Sequence, residues 1–328
     1  MRKRQILFLS KGTNAASTRY RAMAYFGALS ADGWKICHQG VHGALSRLKA
    51  VPAAAKADVV VILRKALSPF FLGILKRCSY RMVFDLDDAI FCRSNGTLSP
   101  HRERRFARMV RRCMQVWAGN EFLARSAKKY SNDVVVLPTS VVPEKYDVRV
   151  EKPLGNMDLV WIGSKSTRKY LTEALPLLEG ASEAVPDLRL KVIADFHLTS
   201  RKLHTFTALW SEESEARELT SAHIGIAPMP DNAWTRGKCG LKVLQYMAAG
   251  LPVVASPVGV NEELVKHGVT GFLAESSEDW KKAIKTLASS SDLRQSMGAE
   301  ARKRVKRNFS VEATYRKMAA ALDQLLEK

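Results

Sequence analysis

Short runs of Val, Ile and Leu recur along the whole chain, each followed by a polar turn and then by apolar residues at helical spacing. RQILFLS (4–10), WKICHQG (34–40), ADVVVILR (57–64), RMVFDLDDAIF (81–91) and DVVVLPTS (133–140) are the clearest of these in the first half. Several are continuously apolar rather than alternating, as in strands covered on both faces of a parallel sheet. The spacing predicts a helix over 17–31, closed by Asp32-Gly33, an arginine-rich helix over 101–117, and a short strand and helix in QVWAGNEFLARSAKKY (115–130). Residues 141–156 hold two prolines, mixed charge and a glycine and read as a linker. The alternation then restarts with LVWIGS (159–164), a helix over 167–184, LRLKVIADF (188–196), a helix near 212–221 and HIGIAPMP (223–230). VVAS and GFLAE follow, with helices from Asp279 to the end. Alternating strands and helices predict an α/β protein with parallel sheets. We expect an N-terminal domain over 1–145, a C-terminal domain over 146–309, and a terminal helix over 310–328 that can cross back to the first domain.

The most organised stretch is RGKCGLKVLQYMAAGLPVVASPVGV (236–260). A basic, glycine-bearing loop opens a short helix, Gly250 and Pro252 stop it, and an apolar strand follows. Arg236 and Lys238 precede a helix start, whose free N–H groups and partial positive charge suit an anion such as phosphate. A solvated basic helix start accounts for the same residues. Lys238, Lys242 and Gln245 share one helix face.

Composition adds one fact of weight. The chain carries 52 Lys and Arg against 32 Asp and Glu, a net charge of +20. Residues 1–150 hold 27 of those cations and 10 of the acids, so a net of +17 lies in the first half. A polyanionic partner for that half follows, either an anionic lipid surface or nucleic acid. A length of 328 residues suits two domains. The five cysteines are scattered without a C-x-x-C pair, which argues against a disulfide framework or a structural zinc site and for a reducing compartment. No apolar run is long enough to span a bilayer. G-x-G-x-x-G and the P-loop are both absent.

Ligands of open α/β sheets bind at the carboxyl ends of strands. That rule selects Gly12–Arg21, Gly163–Lys169 and Asp231–Lys242. In WIGSKSTRKYL, Gly163, Ser164, Lys165 and Thr167 lie between a strand and a helix start, an arrangement suited to phosphate.

IGSKSTRKYL, SAHIGIAPMPDNAWTRGKCGLKVLQYMAAGLPVVASPVG, HGVTGFLA and FSVEATYRKMAAALDQLL resemble the donor-binding domain of GT-B glycosyltransferases, in particular the retaining, family 4-like group of bacterial cell-envelope enzymes. KGTNAASTRYRA, FDLDDAIF, AGNEFLA and VVVLPTSV resemble the acceptor-side domain of the same group. The resemblance implies two Rossmann-like parallel-sheet domains facing across a cleft. It places Ser164, Lys165 and Thr167 near the donor diphosphate and Gly12 among the donor-binding residues, and with the group's glutamates absent the nearby Asp231 is the candidate contact to the donor sugar. Arg236 and Lys238, with Lys242, would neutralise charge on the departing nucleoside diphosphate, and Gln245 would hold the ribose. The group's usual pair of glutamates is replaced here by Gly237 and Gln245. Such transfer needs no protein nucleophile, no metal and no cofactor, since the nucleotide-sugar is a substrate and the leaving phosphate accepts the acceptor's proton.

Asp87 and Asp88 would then orient an acceptor hydroxyl, and Arg19 and Arg21 would hold an anionic acceptor or the donor phosphate. MVFDLDD also mimics the aspartate-nucleophile motif of haloacid-dehalogenase-like phosphatases, and helix capping explains the same carboxylates without chemistry. In HRERRFARMVRRCMQVW (101–117), Phe106, Met109, Val110 and Cys113 form an apolar stripe beside Arg102, Arg105, Arg108 and Arg112. This reads as an amphipathic helix lying on an anionic leaflet, or equally as a sheet-packing helix with a solvated face. Nucleic acid is not the expected partner, for no binding module is present. The expectation is a cytoplasmic glycosyltransferase, peripheral on the inner face of the cell membrane, acting on a lipid-linked or lipopolysaccharide acceptor. The competing reading is a basic nucleic-acid or membrane-surface binding protein on an inactive scaffold of the same kind.

Overall fold

The computed structural model describes residues 3–328. They divide into two compact units, 3–140 with 232–239 and 311–328, and 141–231 with 240–310. In the first unit β1 (Gln5–Ser10) leads through α1 (Ala16–Arg21) and α2 (Phe26–Ala31) to β2 (Lys35–Gly40). Then come α3 (Ala44–Lys56), β3 (Val59–Leu63), α4 (Pro69–Cys78), β4 (Met82–Leu86), α5 (Pro100–Arg112), β5 (Gln115–Ala118), α6 (Glu121–Lys128) and β6 (Val134–Val136). The second unit begins with β7 (Met157–Ile162), α7 (Arg168–Ser182), β8 (Leu188–Ala194), β9 (His204–Leu209), α8 (Glu215–Thr220) and β10 (Ile224–Ala227). The short α9 (Ala233–Arg236) belongs to the first unit. The second resumes with α10 (Leu241–Ala248), β11 (Val253–Ala255), α11 (Asn261–Leu264), β12 (Gly271–Leu273), α12 (Ser277–Ser289) and α13 (Ser291–Asn308). The last helix, α14 (Val311–Glu327), is again part of the first unit.

The described strands form two six-stranded sheets, ordered β2-β1-β3-β4-β5-β6 and β12-β11-β10-β7-β8-β9, parallel throughout. Each sheet reverses its direction of growth once, between β1 and β3 in the first and between β7 and β10 in the second. The central strands are buried end to end, which is why their sequences do not alternate. In the first unit Ala50, Phe71, Leu75, Phe106, Met109 and Val110 cover one sheet face. Tyr25, Leu29, Met318, Leu322 and Leu325 cover the other. In the second, Leu171 and Leu178 of α7 pack with Trp280, Ile284 and Leu287 of α12 over one sheet face.

Three sequence expectations change here. The helix expected over 17–31 is broken: α1 stops at Arg21, Ala22 leaves the helical region at φ −129°, and a 3-10 turn covers Met23–Tyr25. The break lets Arg21 and Tyr25 both reach the sheet, where the Tyr25 hydroxyl meets Ser140 Oγ at 2.7 Å. The 141–156 stretch is partly built into the second unit, since Pro143–Tyr146 form a 3-10 turn and buried Tyr146 donates to Glu215 Oε1 at 2.7 Å. Finally, Phe106, Met109 and Val110 of α5 and Cys113 just after it lie in the core of the first unit. The stripe expected to enter a leaflet is therefore used up in packing, and α5 offers the outside only its arginine face. None of the described helices is long and apolar enough to cross a membrane.

The α14 contribution to the first core is measurable. Leu322 is 1% exposed among Tyr25, Val61 and Trp117, so Leu322→Ala should cost about 2–5 kcal/mol in urea unfolding. A cost below about 1 kcal/mol would show that α14 is not part of that core.

Candidate functional site

In the first unit the chemistry gathers where β4 ends. Asp85 is the fourth residue of that strand, and Asp87 and Asp88 sit in the turn just after it. Asp85 is 1% exposed, and Arg21 meets it with two donors, Nε to Oδ1 at 3.0 Å and Nη2 to Oδ2 at 2.5 Å. Arg21 Nη1 donates to the Leu137 carbonyl at 2.6 Å. Burial works against both charges and raises the Asp85 carboxyl, while at Arg21 the attraction of Asp85 more than offsets burial and raises the guanidinium pKa. Arg21 is thus committed to the interior and is not the ligand-facing cation expected from the sequence. Asp85 is equally unfit as the leading nucleophile of a phosphatase motif, being covered and bound on both oxygens.

Asp88 is gripped from two sides. Arg64 Nη1 donates to Oδ2, and Lys238 Nζ donates to Oδ1 at 2.8 Å. Arg64 Nε lies 3.6 Å from Asp87 Oδ1, an oxygen that is buried and accepts no hydrogen bond. The Asp87 carboxyl is pushed up to about 6, chiefly by burial, with Arg64 pulling down and Asp88 pushing up again. Arg64 holds this position with φ at +51°, in the left-handed region that side chains other than glycine seldom occupy.

The segment that brings Lys238 is held by several contacts. Asn120 caps α6 by accepting from Leu123 N at 2.9 Å, and its Nδ2 donates to the carbonyls of Arg236 at 3.2 Å and Lys238 at 2.8 Å. Cys239 Sγ donates to the Asp87 carbonyl at 3.3 Å. Gly237 lies flat on Ala89: a β-carbon there would stand 2.5 Å from Ala89 Cβ and 2.8 Å from its amide nitrogen. Lys238 also lies 4.8 Å from the Trp234 ring centre. From sequence, Lys238 and Arg236 are expected with Lys242 in the donor-side half. The structure instead puts the Lys238 ammonium on Asp88, and Arg236 is exposed at the end of α9 within the first unit.

In the second unit the turn after β7 sits at the point where the sheet reverses. Gly163 is obligatory there, since a β-carbon would meet the Trp161 ring at 2.1 Å and Thr167 Oγ1 at 2.7 Å. Thr167 Oγ1 accepts from Ser164 N at 3.2 Å and donates to Ser164 O at 3.1 Å, while the Ser164 and Ser166 hydroxyls meet at 2.9 Å. The 15-residue helix α7 starts at the next residue. Lys242 Nζ lies 4.1 Å from the Trp161 ring centre, so one tryptophan supports both the turn and the lysine. Tyr246 OH accepts from Ile162 N at 2.9 Å and fixes the end of β7. Gly163, Ser164, Lys165, Thr167 and Lys242 are thus drawn to one place, with Gln245 buried one turn further along α10. A carboxylate joins them: Asp195 Oδ1 accepts from Lys165 N at 3.2 Å, and Oδ2 lies 3.9 Å from Lys165 Nζ. Asp231 is exposed beyond β10.

Sequence reasoning misses Arg64, Asn120, Trp161 and Asp195. Asn120 has a local signal, an Asn-Glu helix start; Arg64 has none. Of the remaining residues, Gly12 donates its amide to Ser10 Oγ at 2.9 Å, and Arg19 is half-buried in α1. On α5, Arg102 and Arg105 donate to the carbonyls of Cys92 at 3.1 Å and Ala66 at 2.7 Å, while Arg108 and Arg112 are exposed.

Residues 156–290 match the family model described as Glycosyl transferases group 1. The chain is similar to the trehalose synthase of Pyrococcus horikoshii, 23% identical over 246 residues that make up 58% of this chain and 56% of that protein. It is also similar to the sulfoquinovosyl transferase SQD2 of Arabidopsis thaliana, 30% identical over 162 residues, 46% of this chain and 30% of that one. The matched part thus spans about half the length of the first relative and less than a third of the second. HepE of Anabaena, solved in complex with UDP and glucose, superposes with a TM-score of 0.72 over 98% of this chain and 100% of its own at 14% identity. The chain therefore has the GT-B fold, and its residues 156–290 are the part that is similar to group 1 glycosyl transferases.

Proposed function

We propose that the protein transfers a sugar from a nucleotide-sugar to a membrane-borne or cell-envelope glycan acceptor. The observation that carries this reading is the turn after β7. Within the segment that matches the family, Gly163 leaves the backbone bare against Trp161, a long helix begins at Arg168, and the Lys242 ammonium lies over the same tryptophan. Amide hydrogens at a helix start and a fixed cation are what a diphosphate requires as negative charge builds on it. That HepE was solved with UDP supports a nucleoside diphosphate as the bound half of the donor. In this reading the leaving phosphate takes the acceptor's proton, the anomeric configuration is kept, and neither metal nor cofactor takes part. Asp87 and Asp88 orient the acceptor hydroxyl in the first unit. Lys238 and Arg236 neutralise the leaving group once Lys238 exchanges Asp88 for phosphate.

A panel of uridine, guanosine, adenosine and thymidine diphosphate sugars tests the donor in thermal unfolding. The right one at 100 times its dissociation constant should stabilise by about 2.7 kcal/mol. Lys242→Gln should weaken that ligand roughly 10- to 100-fold, as loss of a charged donor predicts. Asp195→Asn should tighten it several-fold by removing a carboxylate that competes for the Lys165 amide. Protection by none of them, beside salt-sensitive DNA binding, would favour the competing reading of a binding protein on an inactive scaffold.

Asp87 makes a separate prediction without any ligand. Its carboxyl rises from 3.8 to about 6 on folding, so the folded state binds extra protons between those values. Such a group lowers stability as pH rises through that window, and its cost is fully present above pH 6. Asp87→Asn should stabilise the protein by roughly 1–3 kcal/mol at pH 7.5 and by nearly nothing at pH 4. An equal effect at both pH values would refute the assignment.

A further inference from the structure

The first sheet has its own reversal point, between β1 and β3, and the carboxyl ends of two such strands form a crevice where open α/β sheets take ligands. Its chemistry is distinct from the carboxylate cluster at β4. Lys11 follows β1, Lys65 stands two residues beyond β3, and Arg47 lies in the first turn of α3, which leaves the neighbouring β2. The three turns are tied together by hydrogen bonds. Val41 N donates to Ser10 O at 2.9 Å, Lys65 Nζ donates to Val41 O, and Arg47 N donates to Gly43 O at 3.2 Å. A β-carbon on Gly12 would stand 3.1 Å from His42 Nε2, so the β1 and β2 turns are in contact.

Among the described residues no acidic side chain pairs with Lys11, Arg47 or Lys65, although Arg64, next to Lys65, holds two. Arg47 Nε is shut away from water with no acceptor. The Lys65 pKa is lowered first by burial and then by the charges of Arg47 and Lys11, both of which act on its ammonium. Like charges gathered at a sheet's reversal point oppose folding unless an anion joins them. The nearby surface is not polar. Leu45 and Leu48, on either side of Arg47, are 67% and 63% exposed, and Phe70 in the first turn of α4 is 80% exposed. Helices of a parallel sheet start at the edge where the preceding strands end, so these side chains share a rim with the cations.

We infer that Lys11, Arg47 and Lys65 bind the phosphate of an amphiphile whose hydrocarbon part rests on Leu45, Leu48 and Phe70. Taking that amphiphile as the acceptor rests on the glycosyl-transfer reading; the binding itself does not.

The test uses the full chain with three probes: dihexanoyl phosphatidic acid below its micelle concentration, dihexanoyl phosphatidylcholine, and inorganic phosphate. Phosphatidic acid should raise the melting temperature and bind about tenfold or more tighter than phosphate, the gain expected from burying two or so methylenes. Phosphatidylcholine, whose choline cation cancels the charge of its phosphate, should bind more weakly than phosphatidic acid. The double variant R47Q/K65Q should lose the response to phosphatidic acid while keeping a cooperative unfolding transition and its protection by the nucleotide-sugar. L45S/L48S should reduce phosphatidic acid to the level of inorganic phosphate. Undiminished phosphatidic acid binding in R47Q/K65Q, or equal binding of phosphate and phosphatidic acid to the unaltered protein, would overturn the proposal. Nucleotide-sugar protection should be the same in all these variants. Its absence from every one, the unaltered protein included, would sink the transferase reading while the lipid-phosphate result stood.

Discussion

Three carboxylates within four residues, at the end of a strand that is otherwise Met, Val, Phe and Leu, set the terms for the first unit. Charges taken out of water must be paired, and removing one partner of a buried pair typically costs 3–5 kcal/mol. The chain meets this need from three distant places. Arg21 comes from α1, Arg64 from the turn after β3 in a strained backbone conformation, and Lys238 from 150 residues further along. Much of the surrounding architecture follows from these pairings. The first helix breaks after Arg21, and residues 232–239 pack with the first unit although the residues on both sides belong to the second.

The two units present charge by different means. In the first, side-chain ions pair with side-chain ions, and where they do not, at Lys11, Arg47 and Lys65, the imbalance is itself informative. In the second, the turn after β7 relies on backbone amides bared by Gly163 and on a lysine laid over Trp161. Backbone amides are fixed by the strand and helix they join, so they need no reorganisation to meet a diphosphate. A side-chain ion pair such as Lys238 with Asp88 must exchange partners to act, and so suits a group that engages only at one step.

Strand positions were legible in the sequence because burial on both faces writes itself as unbroken Val and Ile runs. The turn after β7 was legible for a similar reason: strand, glycine, hydroxyls and helix start all lie within ten residues. What was not legible depends on contacts across long separations. Nothing near Lys238 announces Asp88, and nothing in VVVILRK marks Arg64 as the one described non-glycine residue with positive φ. The stripe of α5 left two readings open. Phe106, Met109 and Val110 at helical spacing say that one face is apolar, but a sheet and a leaflet impose the same periodicity. Only the packing distinguishes them, and the packing is against the sheet.

The departure at Gly237 belongs to the same account. The resemblance group carries a glutamate there, whereas here the residue lies against Ala89 with no room for a β-carbon. A glutamate would lift the turn from Ala89 and break the alignment that Asn120 gives to the carbonyls of Arg236 and Lys238. It would also bring another carboxylate toward Asp87, whose ionisation burial already resists. Glycine at 237, lysine at 238 and the acidic turn after β4 are therefore mutually dependent. A search for the missing glutamate's role should begin in the second unit, where Gln245 is buried and uncharged beside Lys242.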